Sequence, residues 1–386
     1  MSQAKRTAVF GAGARVLPPS AALLSGALLL TAAVGCGISD DNGNGVARGT
    51  STSLPGGTTS AASATPAKPG TLEGFSSPES VVFAGDRWFI SNIGAKQEPT
   101  AKDGDGFLTE LSSVGTLTAR KAVPRQGDPA LNAPKGMAYT ANRLFVADID
   151  RVVGYDVDSG AQVFEAPLGG DQPALLNDIT LADPRTLLVT DSLRGAVYRM
   201  DLETKKFDPV ATGIPGANGI ALESSGKTAY VAASGTDFKG GDLWRLDLTQ
   251  NPVVPQRVGA VHGVLDGIAV LANGELVISD WAGSGSTPGT VTVHRPDGSE
   301  VAKVSLPENL HGPADFTVDP AGRNLWIPAM PDNRVLVVQL LESAVGGTSS
   351  SATTTSGSPV VTTVVPTVPT TTTTAQAPSP APATTP

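Results

Sequence analysis

Six times between residues 78 and 329 the sequence passes through the same pair of short apolar segments, and this repeat constrains the fold more than any other feature. The pairs are Pro78–Val82 with Trp88–Asn92, Pro134–Ala138 with Leu144–Asp148, and Leu176–Thr180 with Leu187–Asp191. They continue as Ala217–Ala221 with Ala229–Ala233, Leu265–Ala269 with Leu276–Asp280, and Pro313–Thr317 with Leu325–Ala329. Taking Glu79, Lys135, Asn177, Asn218, Asp266 and Ala314 as the repeat starts, the periods are 56, 42, 41, 48 and 48 residues. Each pair is followed by an alternating strand, such as Ala196–Met200 or Asp242–Leu246, and then by a fourth, such as Val301–Val304. Short alternating segments divided by Gly, Pro and Asp turns are strands. Four strands per repeat and six repeats predict an all-β chain, a six-bladed β-propeller of four-stranded blades. The sixth repeat holds only three strands, ending near Leu341. The segment Thr71–Phe75 therefore reads as its missing outer strand, because an unclosed ring would leave strand edges free.

The ends of the chain read differently. Residues 1–35 have the form of an export signal: Lys5, Arg6 and Arg15 precede an apolar run from about Ala21 to Val34, which is short for a membrane span. The run closes on Ala33-Val34-Gly35-Cys36, and Cys36 is the single cysteine. This ending resembles a bacterial lipobox, with Ala33 where that pattern usually has Leu. The resemblance implies cleavage before Cys36, a lipid on its sulfur and an exported protein anchored in the cell envelope. Residues 36–70 are rich in Gly, Ser, Thr and Pro and read as a disordered tether. Residues 346–386 form an uncharged Ser/Thr/Pro-rich tail that also reads as disordered. The net charge is −9, and subtracting the ends leaves −12 on residues 72–345. Such a surface excludes an electrostatic nucleic-acid binder. One cysteine excludes an internal disulfide framework and a Cys-rich zinc site. Residues 71–345 are expected to act as a monomer.

In a propeller the first strand of each blade borders the central channel, so the residues that open these strands gather at one mouth. Here they are Glu79, Lys135, Asn177, Asn218, Asp266 and Ala314. Two carboxylates and two amide oxygens converging on one axis suit a hard divalent cation, Ca²⁺ before others. No His or Cys occupies the column, which disfavours a softer metal.

The repeat and its opening residues resemble the senescence marker protein/gluconolactonase/luciferin-regenerating-enzyme-like (SGL) family of six-bladed propellers. The resemblance rests on Glu79 in Pro78-Glu79-Ser80, Asn177 in Asn177-Asp178, Asn218 in Asn218-Gly219 and Asp266 in Asp266-Gly267. It implies that these four hold a divalent metal and that a lactone or ester is hydrolysed on it. Asp266 would then also activate water, and Lys135 would steer substrate or stabilise charge. Sugar lactonases of the family often carry Arg two residues before the Asn of the Asn-Asp pair, where this chain has Leu175. That departure points to a more apolar lactone or ester.

Other residues were weighed against simpler roles. His262 and His311 precede the ring positions of their repeats and are expected on loops at the metal face, where either could serve as a base. Asp148, Asp191 and Asp280 close second strands and are expected to tie turns through backbone N–H groups. Asp178 reads as a turn or supporting residue, and Trp281 as a candidate pocket wall. A different class of function fits the same fold, a non-catalytic cell-surface propeller that binds a ligand or protein.

Overall fold

The computed structural model describes residues 69–283, 287–307 and 309–340. The predicted signal, Cys36, nearly all of the tether and the C-terminal tail lie outside the described residues. The chain opens with β1 (Gly70–Glu73). Blade one is β2 (Pro78–Ala84), β3 (Arg87–Asn92), β4 (Phe107–Ser112) and β5 (Leu117–Val123). Blade two is β6 (Pro134–Thr140), β7 (Arg143–Asp148), β8 (Arg151–Asp156) and β9 (Gln162–Pro167). Blade three is β10 (Leu176–Asp183), β11 (Thr186–Asp191), β12 (Ala196–Asp201) and β13 (Phe207–Thr212). Blade four is β14 (Ala217–Leu222), β15 (Thr228–Ala233), β16 (Gly241–Asp247) and β17 (Gln256–Gly263). Blade five is β18 (Leu265–Val270), β19 (Leu276–Asp280), β20 (Thr290–His294) and β21 (Glu300–Lys303). Blade six is β22 (Thr317–Val318), β23 (Asn324–Ala329) and β24 (Arg334–Gln339), with β1 as its outer strand. All six sheets are four-stranded and antiparallel, and among the described residues there is no α-helix. The predicted six-bladed propeller is the fold.

Closure takes the form the sequence suggested. Gly70, Thr71, Leu72 and Glu73 pair with Val337, Leu336, Val335 and Arg334, so the first strand completes the last blade.

The core is not one cluster: six wedges lie between neighbouring blades, and two smaller clusters lie around Ala314 and Leu310. Between blades one and two, Phe89 and Leu108 pack on Met137, Val146 and Tyr155. The last wedge joins blade six to blade one through Trp88, Ile90, Trp326 and Val337, and the rings of Trp88 and Trp326 stack at 4.1 Å. Burial follows from this geometry. Second strands have neighbours on both faces and read as continuous apolar runs, as in the wholly buried Thr228–Ala233. Outer strands such as Leu117–Val123 are mostly exposed and correspondingly polar.

The inner strands share one irregularity that sets up the site. In blades one to five the register with the second strand shifts between Pro78 and Val81, Pro134 and Met137, Leu176 and Ile179, Ala217 and Ile220, and Leu265 and Ile268. Each interval contains the residue that opens the repeat and the one after it. A bulge takes both out of the ladder and re-aims their side chains. Hydroxyls of the second strands stitch the gap. The N–H groups of Ser80, Asp178 and Gly267 donate to Ser91, Thr190 and Ser279 Oγ atoms at 2.9, 2.9 and 2.7 Å. The glycines after Lys135 and Asp266 answer a packing demand, because the inner strands approach closely. A Cβ on Gly136 would stand 2.5 Å from Asp178 Cα, and one on Gly267 would stand 2.8 Å from Asp315 Cα.

Candidate metal centre

The bulges bring Glu79, Lys135, Asn177, Asn218 and Asp266 to the floor of one cavity of about 260 Å³. All five side chains are buried. The walls are mainly apolar: Ile93, Pro99, Leu175, Val264, Trp281 and Met330, with Phe238 at the side. Ala314, which opens the sixth repeat, is buried and brings no donor.

Each potential ligand keeps one oxygen free. Trp281 Nε1–H donates to Asp266 Oδ2 at 2.7 Å, leaving Oδ1 without a partner. Asn177 Nδ2–H donates to Ser192 Oγ at 3.1 Å, leaving its Oδ1 without one. Glu79 Oε2 and Asn218 Oδ1 are likewise buried and unpartnered. Four orphaned oxygens from four blades, on one floor, are far from the usual state of buried polar atoms. Their chemistry, two carboxylates and two amides, is that of a hard-cation site. Among the described residues no group of three or more His, Cys, Asp and Glu side chains forms a metal cage, so the two amide donors are essential to this reading.

The electrostatics agree with a site short of positive charge. Burial, reinforced by Asp266 and Asp315, pushes the Glu79 carboxyl well above the usual range, while Lys135 opposes the shift. Asp266 is pushed up to about 7, chiefly by burial, and the Trp281 hydrogen bond and the neighbouring Asn218 amide work against the rise. Burial raises Asp178 to about 6 and pushes the Asp315 carboxyl well above the usual range. Against four carboxyls stands one ammonium. Lys135 is 1% exposed, its Nζ donates to Ala133 O at 2.7 Å, and burial lowers it to about 8.

The other candidates fall elsewhere. His262 is not on a loop entering the ring. It lies in β17, the outermost strand of blade four, with Nδ1 at 3.0 Å from Asp242 Oδ1 and its side chain mostly exposed. The expectation failed because the sequence shows how far His262 precedes Asp266, but not which strand edge it occupies. His311 does sit on the loop before Pro313, where its N–H and Nδ1 engage the Asp332 carboxylate. Neither histidine lines the cavity. The strand-closing acids tie turns. Asp191 Oδ1 accepts from the N–H groups of Leu175, Leu193 and Arg194, Asp148 Oδ1 from Asn132 and Ala133, and Asp280 Oδ1 from Val264 and Ala282. Asp178 bridges blades, accepting from Ile179 and Ile220 N–H at 2.6 and 2.7 Å. Asp315 accepts from Ser80 Oγ at 2.5 Å across the seam between blades six and one.

Sequence reasoning missed most of the wall. Ile93, Val264 and Met330 each follow the end of a strand and carry no distinctive motif. Position was the available signal: Ile93 and Met330 directly follow Asn92 and Ala329, the second-strand ends that were already aligned.

Comparison with known proteins covers part of the chain. The family model described as the SMP-30/Gluconolactonase/LRE-like region matches residues 177–327, a span that holds Asn177, Asn218 and Asp266 and leaves out Glu79 and Lys135. No curated protein matches the sequence. Solved structures of similar shape include Kuenenia stuttgartiensis hydrazine synthase, at 16% identity and a TM-score of 0.49 over 69% of this chain and 77% of that one. Virginiamycin B lyase from Staphylococcus aureus is another, at 11% identity and a TM-score of 0.48 over 71% of this chain and 99% of that one.

Proposed function

We propose that this chain is a divalent-cation-dependent hydrolase of lactones or esters, with Ca²⁺ the cation its donors suit best. The observation that carries the reading is the set of four buried, unpartnered oxygens, Glu79 Oε2, Asn177 Oδ1, Asn218 Oδ1 and Asp266 Oδ1, on the floor of one cavity. Leaving each unsatisfied costs about 1–3 kcal/mol or more, and one cation held by all four removes that cost. The family match over three of the four residues supports the same reading. Bound there, the cation supplies Lewis acidity toward a substrate carbonyl and stabilises the developing oxyanion. The chain supplies the rest. The Asp266 carboxylate would orient the attacking water and take up its proton, while Trp281 fixes Oδ2 in place. Lys135 offsets the negative charge of the floor, and the apolar walls exclude bulk water. The anchor at Cys36, and with it display on the cell envelope, belongs to the same proposal.

The test begins with protein stripped by chelator. Thermal unfolding is followed with Ca²⁺, Mg²⁺, Mn²⁺ and Zn²⁺, beside Glu79→Gln and Asp266→Asn. A cation that binds only the native state adds about 2.7 kcal/mol at 100 times its Kd, and both variants should abolish the rise. Acid release from a panel of lactones and esters is then followed in a pH-stat. No response to any cation overturns the metal site. A cation response without turnover overturns hydrolysis and leaves the non-catalytic binding propeller.

A further inference from the structure

The turn Thr236–Phe238 between β15 and β16 is strained in a way that its own packing does not repay. Asp237 and Phe238 both stand at φ +55°, in the left-handed region that a bulky side chain rarely enters. None of the three residues is buried. The turn is pinned at its ends, with Phe238 N–H donating to Gly235 O at 3.3 Å and Gly240 N–H to Ser234 O at 2.9 Å. What this backbone achieves is the placement of one ring. Phe238 lines the cavity above the four oxygens and also a second depression, a groove of about 330 Å³ that runs past Ile214 and Pro215 to Leu193. Phe238 and Leu193 are 45% and 50% exposed and stand on the same groove.

The charged side chains on this path, Arg194 and Asp237, both have partners on the protein. The Arg194 guanidinium donates to the carbonyls of Gly169, Gln172 and Pro173 and pairs with Asp191. Asp237 lies beside Lys239. A molecule whose carbonyl reaches the floor thus meets Leu175 and Val264 as walls, and Phe238, which lines both the cavity and the groove.

We propose that the substrate carries an uncharged alkyl or acyl chain that leaves the cavity along Phe238 and lies in the groove toward Leu193, with Phe238 as a specificity-determining residue. The proposal rests on the hydrolase reading of the same cavity and names the substrate class for it.

Two measurements on the Ca²⁺-loaded protein separate the two claims. The first is kcat/KM for γ-lactones with side chains of two to ten carbons, against a polyhydroxylated lactone of the same ring size. The second is calorimetric binding of the matching γ-lactams, which resist hydrolysis. Each buried methylene should raise kcat/KM and lactam affinity about fourfold until the groove is filled. Phe238→Ala should flatten the gain for longer chains, and Phe238→Leu should restore most of it. Unchanged thermal unfolding of both variants checks that the fold is intact. Lactams that bind with this chain-length dependence while no lactone turns over would support the groove and overturn the hydrolase. Turnover that is flat with chain length, faster on the polyhydroxylated lactone, or unaltered in Phe238→Ala would overturn the groove and keep the hydrolase. Neither binding nor turnover of any member would overturn both.

Discussion

At the scale of single residues, the floor of the channel is an electrostatic debt in the free protein. Asp266 titrates at about 7 in the fold, where burial is the main cause, against about 4 in an unfolded chain. The folded state therefore binds its proton more tightly than the unfolded state. Linkage gives the sign: between about pH 4 and pH 7 the unfolded chain holds fewer protons, so stability falls as pH rises. Asp178, raised to about 6, adds in the same direction, as do Glu79 and Asp315. Chelator-stripped protein should thus have a melting temperature that declines from pH 4.5 to 7.5. Saturating Ca²⁺ should remove most of that decline, and Ca²⁺ affinity should weaken as pH drops below 7. A melting temperature that instead climbs across this range without metal would contradict the buried, unpartnered state of these carboxyls.

At the scale of elements, the site depends on a device that is complete in blades three and five and partial in the others. A bulge frees the ring residue, a hydroxyl on the second strand fills the gap, and the acid closing that strand ties down the incoming loop. Asp191 does this most heavily, accepting three backbone N–H groups, one of them from the cavity wall residue Leu175. Asp191→Ala would leave these donors without the partner that orders them, at about 1–3 kcal/mol for each that stays buried. Chemical denaturation should show a loss of about 3 kcal/mol or more, and Asp191→Asn, which keeps an acceptor oxygen, should lose less. This device was half legible in the sequence. The closing acids Asp148, Asp191 and Asp280 stood out because they recur at strand ends, and their turn-tying role follows from their short polar side chains. The hydroxyls Ser91, Thr190 and Ser279 did not stand out, since a small polar residue beside a turn has many ordinary uses. Only the observed register shift gives them a specific one.

At the scale of the whole molecule, stability rests on a closed ring of six wedges, and the closing element is small. The strand β1 contributes four paired residues and the partly buried Leu72. Its loss would free the edge of β24 and loosen the wedge that holds Trp88 against Trp326. A chain beginning at residue 69 should therefore fold and melt cooperatively. One beginning at residue 77 should melt at a lower temperature and self-associate, because an open edge strand pairs with other chains. Size-exclusion chromatography beside calorimetry checks both, and equal behaviour of the two chains would show that the ring does not need β1.

The repeat, the number of blades, the closing strand and the column of Glu79, Lys135, Asn177, Asn218 and Asp266 were determined by the sequence alone. The reason is that each depends on periodicity. A β-strand alternates with period two, a blade recurs about every 46 residues, and one aligned position per blade must meet its counterparts around an axis. The tertiary structure decided what periodicity does not carry. It set Trp281 on Asp266, moved His262 to an outer strand edge, and assembled the walls from Ile93, Leu175, Val264, Phe238 and Met330. Those residues come from loops of different length in different blades. Loop conformation depends on local backbone geometry, such as the left-handed turn at Asp237 and Phe238, and on which neighbouring blade a loop meets. A repeat therefore places the ring residues, while the irregular connections between repeats decide what can reach them.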